Sequence, residues 1–134
     1  MNFTFPSVNA LFLENLRESI GLHTCDQRRS KTFLAAHFPT FTFEPDFSEE
    51  DELWGPRWQE TAPQQARRVR QVLDFAWEES GEEFVSITAH GGTVAGILAN
   101  VGHRTFNLQT GGVLPVVVRG TKRRVLIHLS LFGN

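Results

Sequence analysis

The sequence lacks the residues that mark disulfide-bonded, zinc-binding or membrane-spanning proteins. It contains a single cysteine, Cys25, so no internal disulfide can form, and no spacing of cysteine and histidine resembles a zinc site. No apolar run approaches the roughly 18 residues that a membrane helix needs, and the N-terminus has no basic region of the secretory type. We therefore expect a cytoplasmic protein in a reducing compartment, with no metal, no other cofactor and no membrane contact.

A strong charge of either sign is also missing. The net charge is −2 and 21% of the residues are charged, which favours neither disorder nor nucleic-acid binding. Tyrosine is absent beside 12 phenylalanines and three tryptophans, so the aromatic side chains are expected to fill a core or line a pocket. The 134 residues suffice for one domain, 1–134, whose partners are expected to be small molecules or proteins.

The most informative stretch that is present runs from Phe84 to Gly92 and reads FVSITAHGG. Its apolar and β-branched residues predict a buried strand over Phe84–Thr88, and Gly91 and Gly92 allow a tight turn before a helix from Thr93 to Val101. His90 would then lie between a strand end and a helix start. Ligands bind at such places in open α/β sheets, and anions are favoured there, although a plain turn is the alternative.

Capping residues, prolines and apolar spacing predict the other elements. These are a strand between Pro6 and Leu13, a helix over Lys31–His37 capped by Ser30, a helix from Thr61 to Gly81, and two antiparallel strands over Val113–Val118 and Val125–Leu131. The segment 16–29 is expected to be a loop or broken helix, and the aromatic and acidic segment 38–56 a lid or binding loop. This order of elements predicts an α/β sandwich with a mixed sheet.

Three stretches, taken in order, carry a resemblance to a known family. They read ENLRESIGLHTCDQRRS (Glu14–Ser30), FVSITAHGGTVAGILANVGHR (Phe84–Arg104) and LQTGGVLPVVV (Leu108–Val118). Together they resemble the phosphoglycerate-mutase-like histidine phosphatases, particularly the fungal-type branch. The resemblance covers nearly the whole chain but only the C-terminal part of the family's fold, which implies a truncated three-layer α/β sandwich.

The chain departs from the family at its nucleophile. Members carry an Arg-His-Gly motif after the first strand, where the histidine becomes phosphorylated, and a further arginine after the second strand; neither is found here. Without the two strands that flank it in the family, the strand at 84–88 would leave N–H and C=O groups unpaired, at a cost of about 1–3 kcal/mol each. The sheet is therefore expected to be paired again, and we favour a homodimer in which a second copy supplies an edge.

The resemblance also implies roles for residues in the retained stretches. His90 matches the second pocket histidine, which contacts the transferring phosphoryl group, and Glu18 matches the acid that protonates the leaving group, with Glu14 as an alternative register. A binding rim is expected from Arg17, His23, Arg28, Trp54, Gly91 and Gly92. Because neighbours in an extended segment point to opposite faces, at most one of Arg17 and Glu18 is expected to line the pocket. A plain surface role is the alternative for Arg17, local ion pairs in a solvated loop for His23 and Arg28, and core filling for the aromatics.

Three functions follow as hypotheses. The first is a repurposed enzyme that uses His90 and Glu18 for acid–base chemistry, of isomerase, cyclase or lyase type, on a small organic metabolite without phosphohistidine. The second is a non-catalytic pseudophosphatase that binds a ligand or partner. The third is a phosphomonoesterase whose missing half is supplied by another chain or a longer gene product.

Overall fold

The computed structural model describes residues 10–104 and 106–121. Three helices and two short strands form within them, together with 3₁₀ turns at Glu14–Leu16 and Thr24–Asp26. In chain order the elements are β1 (Leu11–Phe12), α1 (Lys31–His37), β2 (Thr42–Phe43), α2 (Ala62–Glu79) and α3 (Gly91–Asn100). This is a small α/β arrangement, compatible with a truncated phosphoglycerate-mutase-like fold.

The two strands lie side by side and are parallel, with Leu11 opposite Thr42 and Phe12 opposite Phe43. The connection between them contains α1, as a parallel pair requires a crossover. Around the pair, phenylalanine rings pack with centroids 5.2–5.7 Å apart; they belong to Phe12, Phe38, Phe41 and Phe43. The rings of Phe38, Phe41 and Phe43, from the long connection, therefore cluster with Phe12 beside the strands. Among the phenylalanines of that connection Phe47 is buried whereas Phe38 is 42% exposed, so core filling is confirmed for Phe47 alone.

The predicted helices are confirmed, because their signals are local. Ser30 Oγ accepts a hydrogen bond from the Phe33 N–H at 3.2 Å and begins α1. Thr61 begins α2, where its backbone N–H donates to Gln64 Oε1 at 2.8 Å in a capping box. α3 begins two residues earlier than predicted, at Gly91, directly after His90.

The core lies where α2, α3 and the segment before the second 3₁₀ turn meet. Val69 and Val72 of α2 and Leu98 of α3 are at most 3% exposed, and Ile20 of the loop is 2% exposed. Asn100 joins the helices, since its Nδ2 donates to the carbonyl oxygen of Ala66 at 2.8 Å. The loop that carries Glu18 is packed against this helix pair, since Arg68 of α2 donates to the Glu18 carbonyl oxygen at 3.2 Å.

Two strands of the predicted mixed sheet do not form in the described part of the chain. Residues 84–88 and 113–118 form no strand there, and Phe84, Val113 and Val117 are 91%, 88% and 100% exposed. An apolar run becomes a strand only when a neighbour supplies hydrogen bonds, and the two-stranded sheet of β1 and β2 supplies none to these runs. The strand predicted over Val125–Leu131 and most of the one after Pro6 lie outside the described residues.

None of the helices in residues 10–104 and 106–121 is long and apolar enough to cross a membrane.

Candidate functional site

The carboxylate of Glu18 joins the loop before the second 3₁₀ turn to the start of α3. Its Oε2 accepts a hydrogen bond from the Gly92 N–H at 3.0 Å, across 74 residues of sequence. Its Oε1 accepts from the Ser19 N–H at 2.6 Å, the Ser19 hydroxyl at 3.0 Å and Gln65 Nε2 at 3.2 Å. The structure therefore brings together two of the predicted positions, Glu18 and the His-Gly-Gly turn.

His90 is the N-cap residue of α3. Its backbone is extended, and its carbonyl oxygen accepts the hydrogen bond of the Val94 N–H at 3.0 Å, which opens the helix. The His90 side chain is exposed. The imidazole thus lies at the surface beside a helix start, where the helix dipole favours negative charge.

The two glycines after His90 have different surroundings. A Cβ on Gly92 would collide with the Glu18 carboxylate and lie 3.2 Å from Gln65 Nε2, whereas a Cβ on Gly91 would meet nothing within 4 Å. Glycine at position 92 therefore allows the carboxylate to reach the helix start. Position 91 shows no such steric requirement.

The pKa of Glu18 is lowered. Burial by itself would raise it, but the hydrogen bonds from Ser19, Gly92 and Gln65 stabilise the charged form and outweigh the burial. The group is consequently a carboxylate at neutral pH in this state. It is placed to accept a proton, and it donates one only after a change that raises its pKa.

An ion pair beneath the loop holds its backbone. The Arg68 guanidinium donates to the carbonyl oxygens of Asn15, Arg17 and Glu18 at 2.8, 3.1 and 3.2 Å. It also pairs with Glu60 at 2.7 Å, and the two side chains are only 8% and 3% exposed. The charges are thus compensated inside the protein, and three loop carbonyls are satisfied by one side chain.

Two further contacts complete this support. Glu60 Oε2 accepts from the Ile20 N–H at 3.2 Å, and the hydroxyl of the fully buried Thr93 donates to the Arg17 carbonyl at 2.7 Å. The supporting residues Gln65, Arg68, Glu60 and Thr93 were not predicted from the sequence. A signal was present for two of them, since Gln65 and Arg68 share the three- and four-residue spacing of the buried Val69 and Val72. Polar residues on an apolar helix stripe indicate buried hydrogen bonds.

Arg17 and Arg28 take part in a separate ionic network. Arg17 donates to both carboxylate oxygens of Asp51 at 2.6 and 2.7 Å and to Glu14 at 2.9 Å. Arg28 pairs with the other oxygen of Glu14. The side chains of both arginines are 10–11% exposed. Both guanidinium groups are therefore engaged in local ion pairs, and their role in binding stays a prediction.

Arg28 is also hydrogen-bonded to backbone of the long connection. Its Nη2 donates to the carbonyl oxygens of Ser48 and Glu50 at 2.9 and 2.7 Å, and its guanidinium carbon lies 4.5 Å from the centre of the Phe47 ring. These contacts tie the acidic part of the connection to the loop that contains Arg28.

The same network separates the two candidate acids. Glu14 is occupied by Arg17 and Arg28, and its backbone N–H donates to Glu44 Oε1 at 2.6 Å. Glu18, by contrast, reaches the His-Gly-Gly turn. Its neighbour Arg17 points to Asp51, so the adjacent side chains face different partners, as expected for extended backbone.

The other predicted rim residues, His23 and Trp54, contact each other. The Trp54 indole N–H donates to the carbonyl oxygen of His23 at 3.1 Å, and the His23 side chain is exposed. The contact joins the long connection to the loop that contains Cys25, which is itself exposed. Their role in binding stays a prediction.

Asp51 gives the network a measurable pH dependence. Burial alone would raise its pKa, but hydrogen bonds from Arg17 and from the N–H groups of Arg28 and Trp54 lower it from 3.8 to about 2. A carboxyl with a lowered pKa stabilises the folded state above its unfolded pKa and loses that contribution as the pH falls through the folded pKa.

We therefore expect the free energy of unfolding to fall as the pH drops from 3.8 toward about 2. Urea unfolding across that range measures this fall. In the Asp51→Asn variant the free energy of unfolding should depend less on pH, and its difference from the native protein should shrink as the pH falls. Parallel curves for the two proteins would contradict the assignment.

Comparison with known proteins gives the chain a family. It is 42% identical over 106 residues to a probable phosphoglycerate mutase of Arthroderma benhamiae, and the match covers 79% of this chain and 32% of that protein. A probable phosphoglycerate mutase of Saccharomyces cerevisiae is 34% identical over 124 residues, covering 83% of this chain and 42% of the relative. Phosphomutase-like protein 3 of Candida albicans is 35% identical over 114 residues, and the match covers 84% of this chain and 36% of that protein.

No protein-family model matches the chain, and no solved structure does. The relatives agree with the resemblance carried by the LRE loop and the His-Gly-Gly turn, and the partial coverage is consistent with a match to one part of the fold. This chain belongs to the phosphoglycerate-mutase-like proteins, and it spans between 32% and 42% of the length of these three relatives.

Proposed function

We propose that this chain is the part of a phosphoryl-transfer enzyme that carries the carboxylate and the second histidine, and that a further segment supplies the phosphate-accepting histidine. The observation that carries the proposal is the hydrogen bond between Glu18 and the Gly92 N–H, directly after His90. This contact supports the proposal because it brings a carboxylate, a group capable of acid–base chemistry, to the helix start that directly follows His90, and helix starts favour anions. The substrate class is a phosphate monoester, in keeping with the names of the relatives.

The chemistry divides between the two parts. The supplied histidine attacks phosphorus, the bond from phosphorus to the substrate oxygen breaks, and the leaving oxygen takes a proton. A bound phosphate monoester brings negative charge to Glu18, and a like charge raises the pKa of a carboxyl, so Glu18 binds a proton with the substrate and then donates it. In the second step water attacks the phosphohistidine, the phosphorus–nitrogen bond breaks, and Glu18 accepts the proton of that water. His90 donates a hydrogen bond to a phosphoryl oxygen in both steps.

The exposed apolar runs support completion by another segment. Phe84 and Val117 are 91% and 100% exposed, although both lie in runs typical of buried strands. A strand added beside residues 84–88 would pair their backbone groups and cover Phe84. A second copy of this chain would also supply an edge strand, but it carries no Arg-His-Gly motif.

A second proposal uses the same two residues without phosphohistidine. The ionised Glu18 carboxylate and the exposed His90 ring would act as base and acid on a small organic metabolite, in an isomerisation, cyclisation or elimination. This function needs no further segment. We place it second, because the His90 ring of this chain alone is open to water, whereas a further segment would help to enclose it.

Complementation tests the first proposal. This chain is expressed with the portion of the Arthroderma benhamiae relative that lies outside the matched region, and the hydrolysis of p-nitrophenyl phosphate is measured. We expect no hydrolysis by either part alone and measurable hydrolysis by the complex. His90→Ala and Glu18→Gln should each lower that rate by about 100-fold or more, the usual contribution of a positioned acid–base group.

The exposed His103, which follows α3, is the matched control, and His103→Ala should leave the rate unchanged. A complex that forms but hydrolyses nothing would overturn the proposal. Turnover of a phosphate-free metabolite by this chain alone, abolished by His90→Ala, would establish the second proposal instead. Binding of small acids without any turnover would indicate a pseudophosphatase.

A further inference from the structure

The Glu18 carboxylate has one hydrogen-bond donor from α2, the amide of Gln65. Gln65 is 8% exposed, and its Nε2 lies 3.2 Å from Glu18 Oε1. The same nitrogen would lie 3.2 Å from a Cβ on Gly92, so the amide, the carboxylate and the helix start converge at one place. Gln65 belongs to the first turns of an 18-residue helix that packs on α3.

The donors to Glu18 differ in what they attach it to. The Ser19 N–H and hydroxyl belong to the same loop and would move with it, and the Gly92 N–H belongs to the turn that holds His90. The Gln65 amide alone among these four donors connects the carboxylate to α2. It is also uncharged, so it holds the carboxylate without neutralising it.

We infer that Gln65 is a positioning residue, which holds the Glu18 carboxylate against the start of α3 in the orientation that faces the phosphoryl site. The inference rests on the proposed function of Glu18. Gln65 touches neither substrate nor reacting atoms in this role, and it acts through Glu18.

The charged and titratable groups near Glu18 belong to α2 and the segment before it, to the loop of Glu18 itself and to the turn before α3. Arg68 of α2 donates to the Glu18 carbonyl and is paired with Glu60, so the two charges compensate each other. Arg17, the preceding residue, faces Asp51, and His90 lies two residues before Gly92. Replacing the Gln65 amide by an uncharged side chain leaves these charges unchanged, so a shift in the pKa of Glu18 would report the loss of the amide donor.

Two substitutions at position 65 test the inference by opposite effects on one observable. The titration of the Glu18 carboxyl is followed by carbon-13 NMR in the full chain, with Glu18→Gln identifying the signal. Gln65→Met keeps the length of the side chain but removes the donor, and it should raise the pKa of Glu18 toward its ordinary value. Gln65→Lys restores a donor and adds a positive charge, and it should lower that pKa below the native one.

Gln71→Met is the matched control, because Gln71 lies on the same helix and its amide contacts Asn15 at 2.9 Å instead of Glu18. It should leave the titration unchanged. A general loosening of the fold would move the Met and Lys variants in the same direction, so shifts of equal sign, or no shift in a folded Met variant, would overturn the inference. If the Met variant does not fold, an unchanged or raised pKa in the Lys variant overturns it.

The outcome is independent of the complementation assay. Opposite shifts in a chain whose complex hydrolyses nothing would retain the positioning contact and reject the proposed function. Hydrolysis by the complex without shifts in the Glu18 titration would retain the proposed function and reject the positioning contact. When both hold, Gln65→Met should also move the pH–rate profile of the complex in the direction of the Glu18 titration.

Discussion

Arg68→Met is expected to destabilise the folded chain by about 3–5 kcal/mol, because it removes one partner of a buried ion pair. Glu60 would keep its charge at 3% side-chain exposure, and the carbonyls of Asn15, Arg17 and Glu18 would lose their common donor. Globular domains are stable by only about 5–15 kcal/mol in total, so the loss is large. The free energy of unfolding from urea titration, followed by circular dichroism, measures it.

Arg70→Met on the same helix is the control for this loss. Arg70 pairs with Asp74 at 2.8 Å, but the side chains are 59% and 53% exposed. Exposed pairs of this kind contribute about 0.5 kcal/mol or less. Similar losses for the two variants would show that the Arg68 pair does not support the loop as its geometry indicates.

Gly92→Ala should cost about 1–3 kcal/mol, because the Glu18 carboxylate must move away and lose its hydrogen bonds to the Gly92 N–H and Gln65, whereas Gly91→Ala should leave stability unchanged or raise it. A methyl group at position 92 collides with the Glu18 carboxylate, and at position 91 it meets nothing within 4 Å. Both variants replace glycine by alanine, one residue apart, at the start of α3. A difference between their free energies of unfolding therefore reports the contact with the Glu18 carboxylate. Urea unfolding of the two variants gives the comparison.

The same pair of variants also reports on the site. If the carboxylate moves away from the methyl group, it loses the Gly92 N–H bond, and the pKa of Glu18 should rise toward its ordinary value. The complemented enzyme should then lose activity with Gly92→Ala and retain it with Gly91→Ala. Equal stability and equal titration in the two variants would contradict the contact.

The sequence predicted best what depends on neighbouring residues. Ser30 and Thr61 mark helix starts through hydrogen bonds within one turn, and the apolar spacing around Val69 carries α2 across its length. It failed for Phe84–Thr88, whose apolar run resembles a strand but finds no partner in the two-stranded sheet. Pairing of strands is decided by distant residues, and no local pattern contains that information.

Within the candidate site the division is the same. The sequence by itself determined the family, the His-Gly-Gly turn with His90 at a helix start, and the absence of the Arg-His-Gly motif. Only the tertiary structure decided that Glu18 rather than Glu14 meets that turn and that Arg17 and Arg28 are engaged in ion pairs. The reason is physical: a loop carboxylate goes where donors converge, and here two of its four donors come from α2 and α3, 47 and 74 residues away along the chain.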